Sequence, residues 1–101
     1  MLCALTVRRL KPGSFDDFRT AFMGDVIEDS PPEGWVRFNM LRSTSDPDEV
    51  VCFGFFDGTV EQLRSSSDDN GRATQQEQIA PFVESVGTDA LFEVVEDFAV
   101  T

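Results

Sequence analysis

The chain has 101 residues, with 19 acidic against 8 basic side chains and a net charge of −11. That field repels phosphate backbones and anionic lipid, and no Lys/Arg cluster offsets it, so nucleic acid and membrane surfaces are excluded as partners. At 41% apolar, with no run near the roughly 18 residues of a bilayer span, the sequence reads as a single globular domain over residues 1–101.

Leu2 to Arg9 alternates as a first strand and ends at the turn Lys11-Pro12-Gly13. Ser14 opens a helix, with Asp17 as its acidic first-turn partner; Phe15, Phe18, Phe22 and Val26 fall at spacings of three and four on one buried face. Pro31-Pro32 closes it. Trp35 to Arg42 is a second strand, Ser43 to Asp48 a hairpin loop, and Glu49 to Phe56 a third strand that is apolar on both faces.

Thr59 and Gln62 form a capping box for a short helix, and the polar stretch Ser65 to Arg72 reads as an exposed loop. Thr74 and Glu77 form a second box. The spacing of Ile79, Phe82, Val83 and Val86 then predicts an amphipathic helix stopped by Gly87, with Pro81 either kinking it or opening a restarted segment. Leu91 to Val100 is the last strand, with Phe92, Val94 and Phe98 on one face and Leu91 and Val95 on the other.

The order β-α-β-β-(α)-α-β specifies an α+β domain: a ferredoxin-like split βαβ, with a four-stranded antiparallel sheet and helices on one face. A domain of this size buries only a modest share of its surface. Its third strand needs cover on both faces, and a second copy supplies it most simply, giving a homodimer through the sheet face.

Four segments carry a resemblance across essentially the whole chain: VRRLKPGSFDDFR, PPEGWVRFNML, FGFFDGTVEQLR and IAPFVESVG…LFEVVEDF. They resemble antibiotic-biosynthesis-monooxygenase-type domains of the dimeric α/β barrel superfamily. The resemblance implies a dimeric barrel and a cofactor-independent oxygenase acting on a small aromatic or polyketide-like compound. The alternative is a non-catalytic ligand-binding or interaction module on the same fold. Relatives that degrade haem rely on a His ligand to iron, and this chain has no His; it has no Tyr either, and Phe55 or Phe56 stands where relatives often place Trp.

The missing His also removes the usual acid–base group and the Ser-His or Cys-His nucleophile. No phosphate loop, zinc spacing or calcium loop is present, so no cofactor or metal is expected. Cys3 and Cys52 sit in apolar runs and read as reduced, buried thiols, the other reading being a disulfide between neighbouring strands; with no signal-peptide pattern in Met1–Leu10, a cytoplasmic location is the expectation. The candidate pocket is Trp35, Arg37 and Asn39, one row of the second strand at a period of two. Arg37 and Asn39 could orient a carbonyl or deprotonated phenol while Trp35 stacks on its ring, so a small apolar or aromatic molecule is the candidate ligand. The other reading of the row is structural: a partly solvated face, or Arg37 paired with Glu93 across the sheet.

Overall fold

The pleat of the third strand divides the molecule in two. Val50, Cys52, Gly54 and Phe56 are buried, while the residues between them, Val51, Phe53 and Phe55, are half-buried. Successive side chains of a strand point to opposite faces, so one face of the sheet is covered and the other is open. The computed structural model describes residues 1–29, 33–69 and 72–100, with side chains described for 1–24, 33–65 and 75–100.

The elements are β1 (Leu2–Leu10), α1 (Phe15–Asp29), β2 (Trp35–Arg42), β3 (Glu49–Phe56), α2 (Val60–Asp69), α3 (Arg72–Ile79), a 3-10 turn (Ala80–Phe82) and β4 (Val83–Glu93). The strands lie in the order β2-β3-β1-β4, every neighbouring pair antiparallel. This is the split βαβ arrangement expected from the sequence, with the helices on one face.

The core forms where that face meets the helices. Leu10, Val50 and Cys52 from the sheet close on Phe18 of α1 and Ile79 of α3, with Phe15, Phe22, Met40, Phe82 and Val83 packed around them. A fully buried side chain of this size contributes about 1.5–3 kcal/mol. Phe15, Phe18 and Phe22 thus form the inward stripe that the spacing predicted; the side chain of Val26 lies outside the described residues. Ser14 accepts from the Phe18 amide through its backbone carbonyl at 2.8 Å, and Asp16 and Asp17 occupy the first turn of α1. The helix breaks at Gly24, whose φ of 38° and ψ of 179° suit glycine. Pro31-Pro32 lies outside the described residues.

The β2–β3 hairpin is built as its composition suggests. Ser43 Oγ accepts from the Ser45 and Asp46 amides, both at 3.2 Å, and Asp46 Oδ1 accepts from the Asp48 amide at 3.0 Å. Arg9 of β1 clamps the loop through Asp46 at 2.6 Å. The box at α2 closes in both directions: the Gln62 amide donates to Thr59 Oγ1 at 3.1 Å, and Gln62 Oε1 accepts from the Thr59 amide at 2.8 Å.

The last third departs from the sequence reading. Ser65 to Asp69 is helical, the second half of α2, rather than loop; Asn70-Gly71 lies outside the described residues. Helix α3 starts at Arg72, so Thr74 falls inside it rather than at its cap. The helix expected through Val86 ends at Ile79. Pro81 lies in the 3-10 turn that opens at Ala80, the restarted segment of the two readings, and β4 begins at Val83, where the β-branched Val83 and Val86 pair with Leu10 and Arg8. Gly87 is therefore a strand residue and not a helix stop. The last strand ends at Glu93 rather than Val100, because β1 gives out at Leu2, the partner of Glu93. Beyond it the Val94 amide reaches the Met1 carbonyl at 3.1 Å, and Val95, Phe98 and Val100 stand exposed.

Burial raises the Cys52 thiol from 9.0 to about 11, against an opposing pull from Arg8. Above pH 9 the unfolded chain releases this proton while the folded chain keeps it, so stability falls between pH 9 and about 11. Denaturant midpoints across that window should drop less in Cys52→Val than in the parent, a difference of up to about 2–3 kcal/mol. Equal losses in the two proteins would contradict this account of Cys52.

Candidate functional site

Trp35, Arg37 and Asn39 do not form one row. Trp35 pairs with Phe56, but Arg37 pairs with Phe55 and Asn39 with Phe53, so Val36 is an extra residue in β2. A bulge of this kind shifts the alternation by one position and sends the residues after it to the other face. Trp35 therefore lies on the helix side. Its ring stacks on Phe38 at 4.9 Å and meets Phe56 edge-on at 5.4 Å.

Gly54 makes room for this stack. A Cβ there would stand 2.8 Å from the indole Cζ3 and 2.9 Å from Phe38 Cδ1. The mid-strand glycine is thus the floor under two rings.

Arg37 and Asn39 remain together on the open face, beside Phe55 and Phe53, which meet edge-on with ring centroids 5.7 Å apart. Arg37 is exposed and Asn39 half-buried. The same face carries Leu5, which pairs with Phe53, and Cys3, which pairs with Phe55 and Phe92. This arrangement can hold a flat apolar body against the phenyl rings and meet an oxyanion or carbonyl with a guanidinium and an amide. The Cys3 thiol is raised by desolvation and stays protonated near neutrality, which makes it a poor nucleophile.

The proposed pairing of Arg37 with Glu93 does not occur. Their strands, β2 and β4, are the two edges of the sheet, about 14 Å apart at the usual strand spacing. Glu93 also shares the phase of Leu2 and Phe56, on the helix side, opposite Arg37. Among the described residues no group of three or more His, Cys, Asp or Glu is placed to hold a metal ion.

Sequence reasoning passed over Arg8. It stands at the helix-facing phase of β1, 4% exposed, with its guanidinium carbon 5.8 Å from the Phe18 ring centroid and 5.7 Å from that of Phe22. The available signal was a charged residue in phase with Leu2, Ala4 and Thr6, on the face that has to be buried.

Solved structures share this architecture. SnoaB, a cofactor-independent oxygenase from Streptomyces nogalater, superposes with a TM-score of 0.77 at 14% identity, covering 95% of this chain and 94% of that one. A candidate antibiotic biosynthesis monooxygenase from Deinococcus radiodurans gives 0.79 at 10% identity, covering 100% and 99%. Rv0793 from Mycobacterium tuberculosis gives 0.76 at 10% identity, covering 97% and 98%. The chain has the antibiotic-biosynthesis-monooxygenase-like fold. No family model matches the sequence, and no curated protein matches it. No helix among the described residues is long and apolar enough to cross a membrane.

The split of the row has an optical consequence. Phe38→Ala removes the ring stacked on the only Trp and should shift Trp35 emission to the red. Arg37→Ala, on the opposite face, should leave the spectrum unchanged. A red shift in Arg37→Ala alone would place the indole on the open face after all.

Proposed function

We propose that the chain is a homodimeric barrel protein of the cytoplasm that oxidises a small aromatic or polyketide-like compound without a cofactor. The observation that carries this reading is the uncovered sheet face, where the Phe53–Phe55 pair stands beside Arg37 and Asn39. A sheet covered on one side and apolar on the other calls for a second layer, and a two-fold copy provides it with the same surface. Leu41 and Phe92 are about half exposed in the single chain, and the apolar tail residues Val95, Phe98 and Val100 add to the surface a partner would bury. The two cysteines are unpaired, in keeping with a reducing compartment.

Within such a barrel the substrate supplies the electrons. An anthrone-type compound loses a proton from its activated methylene carbon, and the resulting carbanion reduces dioxygen; the methylene becomes a carbonyl and the second oxygen atom leaves as water. Arg37 and Asn39 contribute by holding the phenolate or carbonyl oxygen over which the negative charge spreads. Similarity of fold to SnoaB supports the reaction class, and the residues of this chain support the ligand class.

A second reading is favoured by the absence of both His and Tyr, two of the common proton-transfer side chains. In it the same barrel binds an aromatic compound without converting it.

Sedimentation equilibrium at micromolar concentration should give about twice the 11.2 kDa chain mass, and Phe53→Asp should abolish the dimer, unfolding the protomer with it. A folded monomer in the parent protein would overturn the assembly. Oxygen uptake with a panel of anthrones and quinols tests the chemistry. Turnover that falls at least about tenfold in Arg37→Ala and Asn39→Ala supports the assigned roles, whereas undiminished turnover removes both residues from them. Compounds that raise the melting temperature with no oxygen consumed would select the binding module.

A further inference from the structure

Beyond β4 the chain runs through Val94 to Val100 without regular structure, joined to the sheet by the Val94 amide on the Met1 carbonyl at 3.1 Å. Val95, Phe98 and Val100 are 81%, 76% and 90% exposed. We propose that in the homodimer this tail leaves its own sheet and adds as a fifth strand to the free edge of β2 in the second copy, each chain giving one strand and receiving one. The proposal rests on the dimer reading above and not on the oxygenase chemistry.

The four-stranded sheet ends in two edges, β2 and β4. An edge strand presents unpaired amides and carbonyls that an extended segment can complete. The two edges differ in charge. β2 carries Arg37 and Arg42 and no acid, both arginines exposed, whereas β4 carries Glu84, Asp89 and Glu93 and no base. The tail carries Glu96 and Asp97 and no base. Opposite charges on neighbouring strands attract and like charges repel, so the tail is turned away from β4 of either copy and drawn to β2. Apolar area agrees with charge: β2 leaves Val36 and Leu41 exposed, and a strand laid beside them would cover them with Val95, Phe98 or Val100.

Regularity points the same way. The register between β1 and β4 slips once between Val7 and Arg8 and again between Arg9 and Leu10, which leaves Gly87 and Glu84 outside the pairing. Bulges of this kind bend an edge and blunt it as a template. β2 has its extra residue at the start, Val36, and then pairs without a break from Arg37 to Arg42. Reach separates the chain's own β2 from that of the second copy. Extended, the seven residues Val94–Val100 span about 23 Å at roughly 3.3 Å each. The outer side of the chain's own β2 lies four strand spacings from β4, about 19 Å, which would leave about one residue to pair. Crossing to a sheet packed about 10 Å away takes about three residues and leaves about four, a short strand. The exchange therefore sets each β4 over β2 of the other copy.

Amide hydrogen exchange on the full chain at a concentration where it is dimeric reads the pairing directly. A tail paired with nothing exchanges at the rate of a free peptide. In the exchanged dimer, amides within residues 95–100 should be slowed at least about tenfold, together with amides on the outer side of β2. Sedimentation tests the charge argument. Glu96→Lys with Asp97→Lys should weaken the dimer at least about tenfold, and adding Arg37→Glu and Arg42→Glu should recover most of that loss. A dimer whose tail exchanges at the free-peptide rate, or whose tail is slowed together with β4 instead of β2, would overturn the strand exchange and leave the dimer standing. No recovery in the combined variant, shown to be folded by circular dichroism, would overturn the choice of edge. A parent protein that sediments as a folded monomer would overturn the exchange and the dimer reading together.

Discussion

Helices cover one face of this sheet only, and almost everything else in the molecule depends on that constraint. Because β3 alternates strictly, Val50, Cys52, Gly54 and Phe56 fall under the helices, and Val51, Phe53 and Phe55 fall outside. The buried half meets Phe18 and Ile79 and makes the core. The outer half has the composition of a core with none of the described helices over it. The buried half builds the core of the protomer, and the outer half offers apolar surface on the other side of the same strand.

Departures from strict alternation are where the chain places its unusual side chains. The extra residue at Val36 parts Trp35 from Arg37 and lets the indole join Phe38 and Phe56 over Gly54. On β1 no bulge is needed; Arg8 simply occupies a buried phase, and α1 answers with two phenyl rings. Arg42 repeats the device at the end of β2, with its guanidinium 4.5 Å from the Phe15 ring centroid. The phenylalanines of α1 therefore do double duty, as core and as neighbours of cations.

The fold was legible in the sequence because its signals are local. Strand alternation in β1 and β3, the hairpin loop, the Phe stripe of α1 and the Thr59–Gln62 box each depend on a few neighbouring residues, and each is found in place. The failures share a different cause. A period-two row is visible in sequence, but the bulge that breaks it exists only in the pairing of β2 with β3. The spacing of Ile79, Phe82, Val83 and Val86 mimics a helix although it straddles a helix end and a strand start, and only pairing with β1 separates the two. The apolar residues Val94, Val95 and Phe98 read as a continuing strand, yet among the described residues no strand extends past Leu2 to receive them. Arg8 was hidden for a simpler reason: a lone basic residue on a strand reads as solvent-facing until the helix above it is placed.

The double slip in β4 carries a rule about length. Up to Val7 the partner numbers in β1 and β4 sum to 95, across Arg8 and Arg9 to 94, and at Leu10 to 93. Two single-residue steps restore the original parity, so Val83 and Leu91 face the same side, with only Ser85 and Val86 out of step between them. Removing Gly87 or Glu84 would let the neighbours of the missing residue pair in regular alternation, every side chain keeping its partner and its face. Removing a paired residue instead would invert whatever lies beyond it. Among descendants of such a chain, single losses in this strand would be tolerated at those two positions and nowhere else.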